Sequence, residues 1–146
     1  MRRIGLALVI AVGIAASVAA KGTTVKLSIT GPGLTEPLVV TDAAALVYVW
    51  SNDFIGPVSV APDSALPRYQ VSFHVQPVRS SNVRVMYVVQ YVVDPRTREA
   101  FVYLPGRGEQ GYRLNVSTML RDNDDGRWHR APQAWSRPIS DRLSAH

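Results

Sequence analysis

The chain has 146 residues, no cysteine, and a formal net charge of +5 from 16 basic and 11 acidic residues. This length fits one domain with a sizeable core, and the absence of cysteine excludes a small scaffold held together by disulfides. The basic residues are spread along the chain with acidic residues between them. A nucleic-acid-binding protein usually concentrates its basic residues in one stripe, so the charge pattern argues against that class of partner.

The first twenty residues have the layout of a secretory signal peptide. Arg2 and Arg3 precede an apolar stretch over residues 4–18, and Ala19 and Ala20 supply the small residues of a cleavage site. We therefore predict export and cleavage after Ala20, which lowers the net charge to +3 and leaves a secreted, periplasmic or envelope-associated protein. The alternative is an uncleaved anchor, since about seventeen apolar residues reach the lower limit for spanning a bilayer. The rest of the chain predicts no membrane span.

Residues 21–131 are predicted to form one α+β domain. The alternation of apolar and polar residues over 25–30 predicts a first strand, and residues 38–40 predict a short extended piece after a Gly-Pro-Gly break. A helix is expected from about 43 to 50, with Thr41 and Asp42 as its cap. The proline-rich segment 51–67 is predicted to be a long surface loop.

Three strands follow in succession. Residues 69–75 alternate with period two, residues 83–93 are rich in β-branched and aromatic side chains, and residues 100–104 return after a turn. They predict an antiparallel meander, within a sheet of four to six strands that packs against one short helix.

The last part of the chain is less regular. Residues 106–111 predict a turn, residues 112–120 fit either a strand or a short helix, and residues 128–131 predict a short edge strand. Residues 132–146 are expected to form a C-terminal tail that carries one helical turn near residues 141–143.

The sequence predicts no cofactor site and no metal site. Residues 106–111 match the G-x-G-x-x-G pattern of dinucleotide-binding loops, but no apolar helix face follows them, so we interpret them as a hairpin turn. Residues 122–126 are rich in Asp and Asn without the register of a calcium loop. The three histidines lack the spacing of zinc ligands. Asn115-Val116-Ser117 is a glycosylation sequon, which has meaning only in a eukaryotic source.

No catalytic residue is predicted either, since the chain has no G-x-S-x-G motif and its serines have no identifiable base. Aromatic and arginine residues do cluster towards the C-terminal end. Arg107, Tyr112, Arg113 and Trp128 are the residues we expect to bind a ligand or partner, and His129, Arg130 and Trp135 lie close to them in the sequence. Such a set can stack on sugar rings or bind an anionic group. The alternative is that the aromatic residues pack in the domain and the arginines keep it soluble.

Two segments carry a resemblance. Residues 27–34, LSITGPGL, and residues 103–116, which contain YLPGRGE and YRLNV, resemble the opening and the C-terminal half of small exported bacterial proteins of unknown function. The resemblance covers most of the chain after residue 20. It implies bacterial export, and it brings no activity and no catalytic residues.

The function that we favour is a non-catalytic extracytoplasmic module that binds an envelope component or a protein. One alternative is a small secreted hydrolase whose site is assembled from histidines and scattered carboxylates such as Asp53, Asp63 and Glu109. Another is a structural subunit that recruits a partner strand at a sheet edge.

Overall fold

A computed structural model describes residues 22–46, 55–118 and 124–146, and within these ranges the chain forms seven strands and three helices. The strands are β1 (Thr23–Thr30), β2 (Leu38–Val40), β3 (Ile55–Pro57), β4 (Tyr69–Gln76), β5 (Arg84–Val93), β6 (Ala100–Tyr103) and β7 (Trp128–Arg130). The helices are α1 (Ala43–Leu46), α2 (Tyr112–Thr118) and α3 (Gln133–Ser144). The predicted signal peptide lies outside the described residues, and none of the helices within them is long and apolar enough to cross a membrane.

The strands form one antiparallel sheet in the order β2-β1-β4-β5-β6-β7-β3. The predicted α+β class is confirmed, and β4, β5 and β6 form the predicted meander. The sheet has one strand more than the predicted maximum because β3, inside the segment predicted as a loop, pairs with β7. The strand predicted at residues 128–131 is therefore an interior strand, and β3 occupies the edge.

The inner face of the sheet carries the hydrophobic core. Period-two alternation buries one side of β1, β4 and β5, and helices α1 and α3 cover that side. Phe73 and Tyr87 stack at 4.2 Å between ring centroids, and the Trp135 ring lies parallel to Phe73 at 6.2 Å. Aromatic pairs of this kind add to the stabilisation that comes from burial itself.

Helix α3 corrects the expectation of a C-terminal tail over residues 132–146. Trp135 and Ile139 are one turn apart on one face of the helix, and both are buried in the core. The indole Nε1 of Trp135 donates a hydrogen bond to the Ala45 carbonyl at 3.1 Å, which joins α3 to α1. Burial of each such side chain stabilises the fold by about 1.5–3 kcal/mol, so this segment belongs to the domain.

The structure tests part of each of two further expectations, the helix predicted from about residue 43 to 50 and the strand or helix predicted over residues 112–120. Residues 112–118, part of the segment that fitted either a strand or a helix, form helix α2, so the described residues contain three helices where one was predicted. Helix α1 begins at Ala43 as expected, with the Ala45 amide donating to the Asp42 carbonyl at 2.9 Å. The predicted continuation of this helix to residue 50 falls outside the described residues.

The opposite side of the sheet, called the outer face below, is not covered by α1 or α3. Its residues alternate with those of the core, and most are polar or aromatic and half-buried: Lys26, Ser28, Gln70, Ser72, His74, Val88, Gln90, Phe101, Tyr103, Trp128 and Arg130. The loop between β6 and α2 crosses this face, since Gly111 lies against the Val88 side chain. The predicted binding residues therefore belong to this side of the molecule.

Candidate functional site

The loop between β6 and α2 is held in place by one carboxylate. Glu109 Oε2 accepts hydrogen bonds from the Gly106 amide at 2.6 Å and from the Tyr103 hydroxyl at 2.9 Å. The Glu109 amide in turn donates to the Gly106 carbonyl at 3.0 Å. Gly108 and Gly111 adopt φ angles of 90° and 88°, a region that favours glycine.

These contacts agree with the interpretation of residues 106–111 as a turn. The Gly106 amide, which a phosphate-binding loop would present to its ligand, already bonds to Glu109. The expectation that the turn joins two strands of a hairpin is wrong, because it leads into helix α2.

Helix α2 is attached to the sheet by the side chain of Asn115. Its Oδ1 accepts from the Val88 amide at 2.9 Å, and its Nδ2 donates to the Val88 carbonyl at 2.7 Å. The side-chain amide thus takes the place of a neighbouring strand where β5 extends beyond its pairing with β6. Asn115 is fully buried. A glycan could not be attached to this side chain in the folded protein, so the sequon cannot be used there.

Three of the four predicted binding residues lie together. Arg107, Tyr112 and Arg113 line one open depression formed by the loop and the start of α2. Both arginines are exposed and Tyr112 is half-buried. Trp128 differs from the expectation, because only 9% of its surface is exposed. Its pairing opposite Tyr103 in the sheet turns the indole against the tyrosine ring, with 5.1 Å between the centroids.

Trp128 instead supports an arginine that the sequence did not single out. The guanidinium carbon of Arg68 lies 5.1 Å from the centre of the Trp128 ring. Such stacking fixes the plane of the guanidinium while its N–H groups stay available. The sequence contains one indication of where Arg68 lies. If the period-two alternation of β4 is continued to the residue before the strand, Arg68 falls on the same face as Gln70 and Ser72.

Arg68, Arg107 and Arg113 form no ion pair with the carboxylates of the described residues, so these arginines give the site a positive charge. Glu109 is the only acidic residue in the sequence between 105 and 118, and it is occupied by neutral donors. Burial, and then the hydrogen bond to Glu109, raise the pKa of the Tyr103 hydroxyl, which therefore remains a donor to the carboxylate at neutral pH.

The other clustered residues have structural positions. His129 is buried on the inner side of β7, with Nε2 3.9 Å from Asp124 Oδ1. Arg130 forms an ion pair with Glu99 at 3.2 Å, and Trp135 belongs to the core. None of the three contributes to the depression at the loop.

A second polar cluster lies on the outer face, across β1 and β4. Ser28 Oγ and His74 Nε2 are 2.8 Å apart and both residues are half-buried. Partial burial and then the charge of Lys26 lower the pKa of His74, so its imidazole is neutral at neutral pH. The sequence reasoning missed this pair because the two residues meet only through strand pairing.

The described residues do not contain three histidine, cysteine or acidic side chains placed to share a metal ion. Part of the acidic segment at 122–126, and Asp53 of the predicted carboxylate set, fall outside them. Asp63 caps its own turn by accepting from the Ala65 amide at 2.9 Å, and Glu109 holds the loop, so each of these two carboxylates has a local structural role.

Comparison with known proteins adds no family and no structural relative: no family model, curated protein or solved structure matches the chain.

Proposed function

We propose that this chain is an exported, non-catalytic module that binds an anionic component of the cell envelope through its outer face. The observation that carries the proposal is the set of three exposed arginines, Arg68, Arg107 and Arg113, none of which forms an ion pair within the described part of the chain. The layout of residues 1–20 and the resemblance to exported bacterial proteins support the location.

The arrangement favours a ligand that carries carboxylates or phosphates. Guanidinium groups bind such groups through two parallel hydrogen bonds, and stacking of Arg68 on Trp128 reduces the conformational freedom lost on binding. Tyr112 offers an aromatic surface beside Arg107 and Arg113, which suits a sugar ring or an apolar side chain next to the anionic group. Acidic polymers and acidic peptides of the envelope both have this chemistry.

The test is capture of envelope material by the tagged chain produced in its own source cells. The variant Arg68→Gln/Arg107→Gln/Arg113→Gln is expected to lose the captured ligand. The matched control is Arg96→Gln/Arg137→Gln/Arg142→Gln, which removes the same charge from exposed arginines that already have carboxylate partners. Equal capture by both variants, or equal loss in both, would contradict the proposed surface.

Trp128 provides a second test of the same surface. Trp128→Leu keeps all three arginines and removes the ring beneath Arg68. A cation–π contact at an exposed site is worth about 0.5–1 kcal/mol, so the affinity is expected to fall by roughly two- to fivefold. A loss as large as that of the triple arginine variant would mean that Trp128 acts through the fold, and thermal unfolding of the same variant would reveal it.

The hydrolase remains a second candidate because of the Ser28–His74 contact. A neutral imidazole at 2.8 Å is placed to accept the hydroxyl proton as the serine oxygen attacks an acyl group. A fluorophosphonate probe is expected to label Ser28 in the native chain if this function is correct. Ser28→Ala and His74→Gln should abolish labelling, and the neighbouring Ser72→Ala should not. Labelling that persists in Ser28→Ala would remove this candidate.

A further inference from the structure

We infer that the turn between β4 and β5, together with the start of β1, forms a surface that lies on an anionic phospholipid bilayer. The turn itself, residues 77–84, is called the hairpin tip below. It is separate from the three arginines of the proposed binding site, and its argument rests on charge, exposed apolar area and the point where the chain enters the fold.

The hairpin tip carries positive charge without acidic neighbours. The sequence has no Asp or Glu from residue 64 to residue 93, whereas Arg79 and Arg84 both lie in the tip and are exposed. Neither arginine forms an ion pair with the carboxylates of the described residues. At the opposite end of the same strands, the turn over residues 94–99 holds two acidic and two basic residues, so its charges balance. The hairpin tip therefore carries a local excess of positive charge, which suits an anionic surface.

The tip also exposes apolar side chains. Val78 and Val83 are 52% and 45% exposed, and they lie on the two sides of the turn. Two valines and two arginines within residues 78–84 match the composition of segments that bind at the interface of a bilayer, where apolar groups enter the headgroup region and cations remain at the phosphates.

Hydrogen bonds hold the tip in this shape. The Ser80 amide donates to the Pro77 carbonyl at 3.1 Å, and Gln76 Nε2 donates to the Ser80 carbonyl at 3.1 Å. The Asn82 amide donates to Ser80 Oγ at 3.1 Å. The valines are thus presented by a defined turn, so their exposure does not come from an unstructured segment.

The N-terminal segment reaches the fold at this same end. Gly22 lies against Gln76 and Pro77, and Thr23, the first residue of β1, pairs with Gln76. The apolar residues 4–20 are separated from Gly22 only by Lys21. If that segment stays attached as an anchor, it holds this end of the fold, and with it the hairpin tip, next to the membrane surface.

The experiment uses the full chain, which has no native cysteine, in two single-cysteine forms. Ser81→Cys labels the tip, and Thr35→Cys labels the loop between β1 and β2 at the other end of the sheet. Each form is labelled with an environment-sensitive fluorophore and reconstituted in vesicles of equimolar phosphatidylglycerol and phosphatidylcholine. We expect a blue shift, with quenching by a lipid-attached quencher, at position 81 and not at position 35.

Charge variants separate the tip from the apolar N-terminal segment. Arg79→Glu/Arg84→Glu is expected to reduce the quenching at position 81 by about tenfold while the chain stays on the vesicles. Arg96→Glu/Arg137→Glu is the matched control and should leave it unchanged. Equal signals at 81 and 35, or an unchanged signal in vesicles of phosphatidylcholine alone, would overturn the inference. A blue shift that rises with protein concentration in the absence of lipid would also overturn it, because the tip would then contact a second copy of the chain.

Discussion

Replacement of Asn115 with leucine tests whether one side-chain amide holds the loop and helix α2 on the sheet. Leucine has a similar volume but cannot bond to the Val88 amide and carbonyl, which Asn115 contacts at 2.9 and 2.7 Å. Each buried polar group left without a partner costs about 1–3 kcal/mol. Burial of the leucine offsets about 1.5–3 kcal/mol of the roughly 2–6 kcal/mol lost at the two Val88 groups. We expect Asn115→Leu to lower the free energy of unfolding by about 1–3 kcal/mol.

The assay is urea unfolding followed by far-UV circular dichroism, with Val116→Leu as the control. Val116 is the next residue along the helix and is 41% exposed, so this change is expected to stay within about 0.5 kcal/mol of the native chain. A loss below about 1 kcal/mol for Asn115→Leu would refute the reasoning, since it would mean that water or a shift of the helix satisfies Val88.

Asn115→Asp distinguishes the two hydrogen bonds. A carboxylate can accept from the Val88 amide but cannot donate to the Val88 carbonyl, so this variant is expected to be destabilised at neutral pH. At this fully buried position desolvation raises the pKa of the aspartate above that of the unfolded chain. The folded state therefore binds the proton more readily, and the deficit relative to the native chain should shrink as the pH falls. A deficit that grows towards acid pH would contradict this assignment.

Two further predictions concern Gly111 and His74. Gly111 and Gly33 both have positive φ angles, but an added Cβ would clash with the Val88 side chain at Gly111 and would meet no atom within 4 Å at Gly33. Gly111→Ala should therefore lower the free energy of unfolding by about 2–4 kcal/mol, and Gly33→Ala by about 1 kcal/mol. Equal losses in urea unfolding would exclude a role for the Val88 contact. Because the pKa of His74 is lowered in the folded state, the unfolded chain binds the proton more readily. The contribution of His74 to stability is therefore present above pH 6.5, its ordinary pKa, and is lost as the pH falls through its pKa in the folded chain. Lys26→Met is expected to raise the pKa of His74 in a ring-proton NMR titration, and an unchanged value would show that Lys26 has no influence on it.

The parts of the fold that follow from local pattern were predictable. Strands β1, β4 and β5 alternate or are continuously apolar, and each strand was expected within a few residues of its position. Helix α3 was missed because Pro132 precedes it, Pro138 lies inside it, and only a few large apolar residues mark its buried face. Its stability as a helix comes from contacts with α1 and the sheet, which no local pattern contains.

The candidate site was predictable only where its residues are neighbours in the sequence. Arg107, Tyr112 and Arg113 lie together because one loop carries them. Trp128 lies beside Tyr103 because β6 pairs with β7. Arg68 reaches the Trp128 ring because its long side chain extends across the sheet. Both positions depend on the register of strands that are distant in the sequence. We expected Trp128 to be exposed and to contact the ligand, because arginines surround it in the sequence. The strand register instead buries Trp128 and places its ring beneath the guanidinium of Arg68.

The two proposed surfaces occupy different parts of the sheet, and this separation restricts the ligand. Arg68 directly precedes β4, while the hairpin tip begins after the last residue of the same eight-residue strand. At the usual rise of a strand the two ends are about 25 Å apart. If the tip lies on a bilayer, the stacked guanidinium at the other end is beyond the reach of the headgroups of that leaflet, since electrostatic attraction to them falls off within a Debye length of about 8–10 Å. The group that Arg68 binds must then project from the membrane or approach from the solution, as an acidic polymer or an acidic protein does, and a lipid headgroup of the same membrane is excluded at Arg68.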